Sequence, residues 1–333
     1  MPARFLIIQT AFIGDAILAT ALLEDLYRAM PDTRIDLLVR QGNESLFTGH
    51  PFINQLLIWK KRTGKYRSLW QLLKQIRATR YDAVINLQRF GATGFLTAFS
   101  GATVTIGFDK NPFSHLFTHR IPHQLGHHRH EVERNNDLLA PLDVPNFGEH
   151  RPKLYPAPAD YDYVERWQNG PYVCVAPTSV WFTKQFPAEG WVNLIQRLPP
   201  DWQVYLMGAP TDVAACEHIR TEAGYERVVN LAGQLSLLQS AALMQGARMN
   251  YVNDSAPLHL CSAMNAPTTA VFCSTIPQFG FGPLADNSRI AEIRGPLECR
   301  PCTLHGRTAC PMGHFRCAYA IEIADVVGDV HHV

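Results

Sequence analysis

Residues 5–26 read FLIIQTAFIGDAILATALLEDL. The first five residues form a short apolar run that suits a buried strand, and from residue 15 onward the apolar side chains recur at helical spacing. Gly14 and Asp15 lie at the turn between the two. A buried strand that leads through a short turn into an amphipathic helix is the repeating unit of a parallel α/β sheet.

The same alternation continues through the chain of 333 residues. In its first half we predict strands at 5–9, 35–40, 55–59, 83–87 and 104–108, and helices at 15–30, 69–79 and 131–139. After a proline-rich stretch at 141–160, we predict strands at 172–176, 204–207, 228–231, 249–252 and 268–273, and helices at 188–198, 213–223, 237–245 and 256–264. The pattern predicts two doubly wound domains joined by a linker, with a cleft between the carboxyl ends of the two sheets.

Composition limits the classes of function. Hydrophobic residues make up 47% of the chain and charged residues 18%, which is typical of a folded protein with a large core. The net charge of +1 argues against a dedicated nucleic-acid binder. Residues 5–23 mimic a signal peptide, but polar residues and Asp15 interrupt them. Four of the eight cysteines lie in apolar runs, which favours a reducing compartment, so we expect a cytoplasmic protein.

Three turns between a strand and a helix carry residues that could do chemistry. The first contains Asp15 and lacks the G-x-G-x-x-G pattern of a dinucleotide site. Asp15 is either a general base held at the edge of a sheet, or an N-cap or first-turn acid stabilised by the helix dipole. Spacing alone leaves both readings open.

The other two turns lie in the second half of the chain. Thr178, Ser179 and Lys184 follow a strand and could donate hydrogen bonds to a phosphate, although a solvated loop has the same composition. A later strand ends in Asn253, Asp254 and Ser255, and His259 lies one helical turn further on. This second turn could bind a ligand at a helix N-terminus, or it could be a helix cap followed by a core histidine.

The set as a whole resembles glycosyltransferase family 9, the ADP-heptose:lipopolysaccharide heptosyltransferases. The resemblance rests on Gly14-Asp15, on Thr183-Lys184 before Pro187, and on residues 253–260, with HEVER at 130–134 and LAGQLSL at 231–237. The tail at 299–317 looks most like the heptosyltransferase II branch. The resemblance implies the GT-B fold, in which two Rossmann-like domains face a central cleft: an acceptor domain at 1–155 and a nucleotide-sugar donor domain at 156–333.

The resemblance also implies roles for individual residues. Asp15 matches the catalytic base, and Lys184 matches a group that acts on the leaving diphosphate. The residues implied to bind the donor are Thr178, Ser179, Lys184, Asp212, Asp254, Ser255 and His259. The chain departs from the family in having Ser255-Ala256 where Thr-Gly is usual, and in placing three residues between Gly208 and Asp212.

The function so implied is inverting transfer of a heptose from ADP-heptose to the inner core of lipopolysaccharide or to a related lipid-linked glycan. No cofactor or metal is required, because Lys184 and helix N-termini can stabilise the departing diphosphate. The alternatives are a GT-B nucleotide-sugar epimerase and a non-catalytic module that binds a sugar nucleotide or a glycan. We expect transient contact with the cytoplasmic face of the inner membrane and no nucleic-acid partner.

Two clusters stand outside these turns. Lys60, Lys61 and Arg62 begin a basic run that could contact an anionic acceptor or lipid, or could be a solvated loop. Four cysteines crowd the tail: Cys299, Cys302, Cys310 and Cys317. Their spacing is irregular for a zinc site, so reduced packing cysteines or a labile disulfide are favoured over a structural metal.

Overall fold

The computed structural model describes residues 3–61, 64–124, 129–148 and 150–328. By its internal contacts the chain divides into two compact units, Met1–Tyr155 and Pro156–Val333. Both are α/β units, and parallel strands form the centre of each.

The first unit alternates strands and helices as the pattern predicts. Its elements are β1 (Arg4–Gln9), α1 (Ile13–Leu18), α2 (Thr20–Ala29), β2 (Arg34–Arg40), β3 (Ile53–Trp59), α3 (Lys65–Thr79), β4 (Ala83–Asn86), α4 (Gly91–Ala98), β5 (Val104–Phe108), β6 (His119–Ile121) and α5 (Glu131–Asn136). Among the described residues, these strands form one parallel sheet in the order β3-β2-β1-β4-β5-β6. The central strands are buried along nearly their whole length, which explains why they read as continuous apolar runs.

The second unit repeats this plan. It contains α6 (Pro158–Val164), β7 (Tyr172–Ala176), α7 (Ala188–Arg197), β8 (Gln203–Leu206), α8 (Val213–Ala223), β9 (Val228–Asn230), α9 (Leu237–Gly246), β10 (Met249–Asn253), α10 (Ala256–Met264), β11 (Thr268–Phe272), β12 (Ser288–Glu292), α11 (Arg316–Tyr319) and α12 (Ile323–Val327). Its described strands are all parallel, in the order β12-β11-β10-β7-β8-β9. Counted from its own first strand, this is the order 3-2-1-4-5-6 of the first sheet.

Short 3₁₀ segments lie between these elements. They are Glu44–Phe47, Ser114–Leu116, Asp137–Leu142, Glu165–Trp167, Phe182–Lys184, Pro210–Asp212 and Pro277–Phe279. No helix among the described residues has the length and apolar character needed to cross a bilayer.

Six elements escaped the sequence analysis, namely α4, β6, α6, β12, α11 and α12. The helix α4 begins at Gly91 and contains Gly94, and both residues weaken a helical signal. The strand β6 has three residues and β12 is only partly buried, so neither shows a long apolar run. The helix predicted at 15–30 is two helices, because Ala19 lies between α1 and α2.

The proline-rich stretch begins as part of the first unit rather than as a free linker. The Lys153 amide donates a hydrogen bond to Thr20 Oγ1 at 2.8 Å, and the Tyr155 hydroxyl donates one to Glu24 Oε1 at 2.7 Å. Leu154 between them is buried. The segment is therefore attached to α2, and α6 begins at Pro158, inside the stretch predicted as linker.

Each sheet has a topological switch point, where the connections that follow two adjacent parallel strands lead to opposite sides of the sheet. In the first unit it lies between β1 and β4, and in the second between β7 and β10. The loops that leave these pairs diverge and open a crevice at the carboxyl edge of the sheet, which is where ligands bind in open α/β folds. The three predicted chemical turns follow β1, β7 and β10.

Candidate functional site

In the first unit, three side-chain hydrogen bonds fix the loop after β1. Thr10 Oγ1 donates to Gln88 Oε1, which follows β4, at 2.6 Å across the switch point. Asn43 Nδ2 donates to the Ala11 carbonyl at 3.1 Å, and Lys61 Nζ donates to the Thr10 carbonyl at 2.6 Å. The loop that leads into α1 is thus fixed before any ligand binds.

Asp15 is the third residue of α1 and is half-buried. Phe12 occupies the N-cap position of this helix without a side-chain cap hydrogen bond, so Asp15 is not the N-cap and lies in the first turn. The negative charge of Asp15 is favoured there by the helix dipole. The position at the carboxyl edge of β1 is also the one a general base at this crevice needs.

A buried ion pair lies close to Asp15. Arg134 Nη2 meets Glu131 Oε2 at 2.7 Å, and Arg134 Nε donates to the same oxygen at 2.9 Å. Burial raises the pKa of Glu131, and the neighbouring charge of Asp15 raises it further, while Arg134 lowers it. The sequence HEVER therefore places a second carboxyl group, paired with Arg134, beside Asp15, and sequence reasoning noted this segment only as part of a resemblance.

The basic run lies at the same edge of the first unit. Lys60 is exposed, whereas Lys61 is half-buried over the ring of Trp59, with Nζ 4.7 Å from the ring centre. Burial lowers the pKa of Lys61 to about 8, and the positive charges of Arg40 and Lys65 contribute. Arg62 lies outside the described residues.

In the second unit, two of the predicted residues form an ion pair. Lys184 Nζ lies 2.8 Å from Asp254 Oδ2, and the side chains are only 14% and 7% exposed. Thr275 Oγ1 donates to the same carboxylate oxygen at 2.6 Å. Lys184 comes from the loop after β7 and Asp254 follows β10, so the pair spans the switch point of this sheet.

Neighbouring contacts fix both loops. Asn253 accepts a hydrogen bond from the Phe186 amide at 2.9 Å and donates one to the Pro177 carbonyl at 2.8 Å. Thr178 and Ser179 are half-buried, and their hydroxyl groups make no hydrogen bond to any other described residue. Two hydroxyls and an ammonium group are therefore presented by one rigid loop.

Ser255 is the residue before α10, and its side chain does not cap the helix. Its hydroxyl instead donates a long hydrogen bond of 3.4 Å to the Asn253 carbonyl. His259 is 6% exposed and its ring lies 6.5 Å from that of Phe281. The structure places Ser255 beside Asp254 and leaves His259 one turn deeper in the helix.

Asp212 lies apart from this loop, after β8. Its Oδ2 accepts a hydrogen bond from the Ala209 amide at 2.8 Å and so closes its own 3₁₀ turn. One carboxylate oxygen is thereby engaged in local structure. The role of Asp212 at a nucleoside stays a prediction.

Sequence reasoning missed the residues that support the lysine loop. Ser274 Oγ donates to Thr183 Oγ1 at 3.0 Å, and the Arg307 amide donates to the same oxygen at 2.8 Å. The Arg300 guanidinium donates to the Cys273 and Thr275 carbonyls at 2.7 and 2.8 Å. The cysteine-rich tail therefore packs against the loop that carries Lys184 and forms hydrogen bonds with it.

Gly306 of that tail lies directly against the Lys184 side chain. Its φ is +86°, and a Cβ at this position would lie 2.9 Å from Lys184 Cγ and 3.0 Å from Trp181 Cβ. Only glycine fits without displacing the lysine stem.

The four tail cysteines are free thiols. Burial, with a smaller contribution from the neighbouring cysteines, raises the pKa of Cys317 to about 11. Within the described part of the chain, no group of three or more His, Cys, Asp or Glu side chains is placed to hold a metal ion.

Comparison with known proteins identifies what this arrangement is similar to. The model of the family described as glycosyltransferase family 9 (heptosyltransferase) matches residues 69–311. Lipopolysaccharide heptosyltransferase 1 of Pseudomonas aeruginosa is 29% identical over 90% of this chain and 86% of its own length. Lipopolysaccharide heptosyltransferase 3 of Escherichia coli is 29% identical over 79% of this chain and 82% of its own.

Solved structures show the same fold. A family 9 glycosyltransferase from Veillonella parvula has a TM-score of 0.78 at 21% identity, covering 86% of this chain and 85% of its own. Escherichia coli ADP-heptose heptosyltransferase II has a TM-score of 0.74 at 20% identity, covering 90% and 95%. These likenesses confirm the predicted GT-B fold.

The contact between Gly306 and Lys184 generates a prediction about stability. Gly306→Ala should lower the free energy of unfolding by about 1–2 kcal/mol for the left-handed backbone and by about 1–3 kcal/mol more for the clash with the lysine stem. Gly313→Ala is the matched control, because its φ is +70° and its Cβ would meet no atom within 4 Å. Urea unfolding measures both; equal losses would show that the tail does not press on Lys184.

Proposed function

Because the chain belongs to glycosyltransferase family 9, the heptosyltransferase family, we propose that it transfers heptose from ADP-heptose to the inner core of lipopolysaccharide. The observation that carries this proposal is the family match over residues 69–311. Curated relatives named lipopolysaccharide heptosyltransferases support the acceptor. Structures of an Escherichia coli heptosyltransferase with ADP and with ADP-2-deoxy-2-fluoro heptose support the donor.

We propose that the reaction inverts the anomeric configuration and that Asp15 is the base. The acceptor hydroxyl gives its proton to the Asp15 carboxylate, and its oxygen attacks the anomeric carbon from the face opposite the nucleotide. The bond from that carbon to the β-phosphate oxygen breaks, and ADP leaves with the electron pair. The fixed loop before α1 supports this role, because a base that is already oriented loses little freedom in the transition state.

The second unit holds the leaving group in this proposal. Lys184 and the hydroxyls of Thr178 and Ser179 donate to the diphosphate, and the first amides of α10 add partial positive charge. The ion pair with Asp254 suggests that this carboxylate orients Lys184 rather than touching the phosphates. These groups supply the charge stabilisation that the reaction needs without a bound metal.

The first unit takes the acceptor in this proposal. Lys60, Lys61 and Arg62 would contact the anionic groups of the inner core, and Lys61 links this contact to the loop before Asp15 through the Thr10 carbonyl. The acceptor is anchored in a membrane, so we place the reaction at the cytoplasmic face of the inner membrane. The free thiols of all eight cysteines are consistent with that reducing compartment.

The direct test is incubation of the chain with ADP-heptose and defined core acceptors. Mass spectrometry should detect an acceptor that has gained one heptose, together with one equivalent of ADP, and product analysis should show the inverted anomer. An altered sugar nucleotide formed without acceptor would identify an epimerase. Binding of ADP-heptose with no turnover on any core acceptor would contradict the transferase proposal.

Asp15→Asn removes the basic oxygen and keeps the shape of the side chain. We expect kcat to fall at least about 10²-fold, with the Kd for ADP-heptose little changed. Steady-state kinetics and calorimetry measure the two quantities. Asp32→Asn, at an exposed acid of the same unit, is the control and should leave kcat unchanged; a normal kcat in Asp15→Asn would return Asp15 to a purely structural role.

Lys184→Ala should weaken ADP binding and slow transfer together, by about 2–4 kcal/mol of transition-state stabilisation. The change also leaves the Asp254 carboxylate buried without its cation, so Lys184→Ala/Asp254→Asn is the control for that repulsion. If the double variant recovers normal ADP affinity and normal kcat, Lys184 does not act on the diphosphate.

The lowered pKa of Lys61 gives a pH dependence with a definite sign. An ammonium group loses its charge as pH rises through its pKa, which for Lys61 is about 8. The KM for an anionic acceptor should therefore rise above about pH 8, while the KM for ADP-heptose should not follow it. Lys61→Arg stays charged throughout this range, so it should remove the rise in acceptor KM.

The wider basic run is tested by salt. Changing Lys60, Lys61 and Arg62 to Gln should raise acceptor KM and flatten its dependence on ionic strength, because exposed charges are screened over about 10 Å at 0.1 M salt. If the KM for the donor rises instead, the roles assigned to the two units are reversed. If neither KM changes, the run is a solvated loop.

A further inference from the structure

A cluster of aromatic side chains covers the outer surface of α3 and α4 in the first unit. The Trp70 ring packs edge-on against Phe95 at 5.5 Å, Phe95 packs against Phe99 at 5.1 Å, and Phe99 packs against Phe113 at 6.3 Å. Tyr66 lies one turn before Trp70. We call these five residues the aromatic face.

Three of the five rings are exposed to solvent, whereas Phe95 and Phe113 are half-buried and Phe95 packs against the core. Tyr66 is 72% exposed, Trp70 57% and Phe99 41%. The core side of α3 is formed by other residues, which are Leu69, Leu72, Leu73 and Ile76. Folding of the unit therefore does not explain the exposed rings, and a contiguous apolar surface of this kind indicates a binding partner.

Cations accompany the rings. Lys74 and Arg77 follow Tyr66 and Trp70 at helical spacing, so the four side chains share one side of α3. Arg77 Nη1 donates to the Phe99 carbonyl at 3.1 Å, which places its guanidinium at the aromatic face itself. Lys65 Nζ lies 5.7 Å from the centre of the Tyr66 ring.

The surrounding sequence has almost no negative charge. Residues 60–121 contain eleven Lys and Arg and only two acidic residues, Asp82 and Asp109, in a chain whose net charge is +1. Asp82 accepts a hydrogen bond from the Arg4 amide, and Asp109 lies 3.9 Å from Lys110. The segment that carries the aromatic face is therefore strongly basic although the whole chain is nearly neutral.

We propose that the aromatic face docks on an anionic phospholipid bilayer. Tryptophan, tyrosine and phenylalanine rings insert at the level of the headgroups, and lysine and arginine beside them bind the headgroup phosphates. The absence of acids from α3 and α4 favours a negatively charged surface as the occupant. The inference rests on the proposed function in one respect: docking would bring the enzyme to an acceptor that is itself anchored in a membrane.

Vesicle binding tests the aromatic face directly. Full-length protein is sedimented with vesicles of about a quarter phosphatidylglycerol in phosphatidylethanolamine, and with phosphatidylcholine vesicles as a neutral reference. We expect binding to the anionic vesicles that Trp70→Ser/Phe99→Ser reduces at least about tenfold. Tyr225→Ser, at an exposed aromatic residue of the second unit, is the control and should bind normally.

The cations are tested with a matched pair of variants. Lys74→Gln/Arg77→Gln should weaken binding to anionic vesicles and reduce its salt dependence, whereas Arg197→Gln/Arg248→Gln removes two exposed cations of the second unit and should change neither. Brominated lipids should quench the fluorescence of the bound protein. Trp70→Phe keeps the apolar contact, so it should bind vesicles but lose most of that quenching.

Three outcomes would overturn the proposal: unchanged vesicle binding in Trp70→Ser/Phe99→Ser, equal binding to neutral and anionic vesicles, or a dimer in solution that this variant abolishes. The last would assign the aromatic face to a second copy of the chain. Circular dichroism establishes that the variants are folded.

A second readout separates this inference from the proposed function. Heptose transfer to a lipid-free core oligosaccharide should be the same in wild type and Trp70→Ser/Phe99→Ser, whereas transfer to acceptor embedded in vesicles should fall in the variant. If wild type binds anionic vesicles through the aromatic face but transfers heptose to neither acceptor, the docking surface stands and the proposed function fails.

Discussion

The order of the strands in each sheet is the constraint on which the candidate site depends. Because β1 lies between β2 and β4, and β7 between β8 and β10, the connections that follow neighbouring strands leave in opposite directions. Asp15 follows β1, while Lys184 and Asp254 follow β7 and β10. Parallel pairing brings these residues to the carboxyl edge of their own sheet, although Lys184 and Asp254 are far apart in sequence.

The ion pair with Asp254 determines both the orientation of Lys184 and the net charge around it. A solitary buried ammonium would lose charge or leave the site, whereas this one has a carboxylate at 2.8 Å and keeps its orientation. The same carboxylate cancels part of the positive field that a diphosphate would meet. In the proposed donor site, the remaining attraction would come from the backbone amides at the start of α10 and from the hydroxyls of Thr178 and Ser179. The pairing with Asp254 therefore fixes the orientation of Lys184 at the expense of the net positive charge of the site.

Local pattern predicted the parts of the site that lie within one strand, one turn and one helix. Asp15, the Thr178–Ser179 pair and Asp254 each follow an apolar run and precede a helical one, so their edge positions could be read directly. The hydrogen bonds that fix the loop carrying Lys184 could not be predicted from local pattern. Thr183 bonds to Ser274 across 91 residues and to Arg307 across 124, and no periodicity links such partners. The fit of Gly306 against Lys184 depends on the same long-range contact. The fold was predictable because burial leaves a repeating signal, whereas side-chain hydrogen bonds between distant loops leave none.

Whole-chain charge is a poor guide to the surface of this protein. The net charge of +1 suggests a surface without strongly charged regions. The segment 60–121 is nevertheless strongly basic, and acids elsewhere in the sequence balance its charge. In α3, the leucines and isoleucine that face the core repeat at helical spacing, and Tyr66, Trp70, Lys74 and Arg77 repeat beside them. A helix that needed only to cover the sheet would carry small or polar residues at those outer positions. Burial in the core does not account for Tyr66 and Trp70, which are 72% and 57% exposed, whereas the proposed contact with a negatively charged bilayer accounts for both the rings and the surrounding cations.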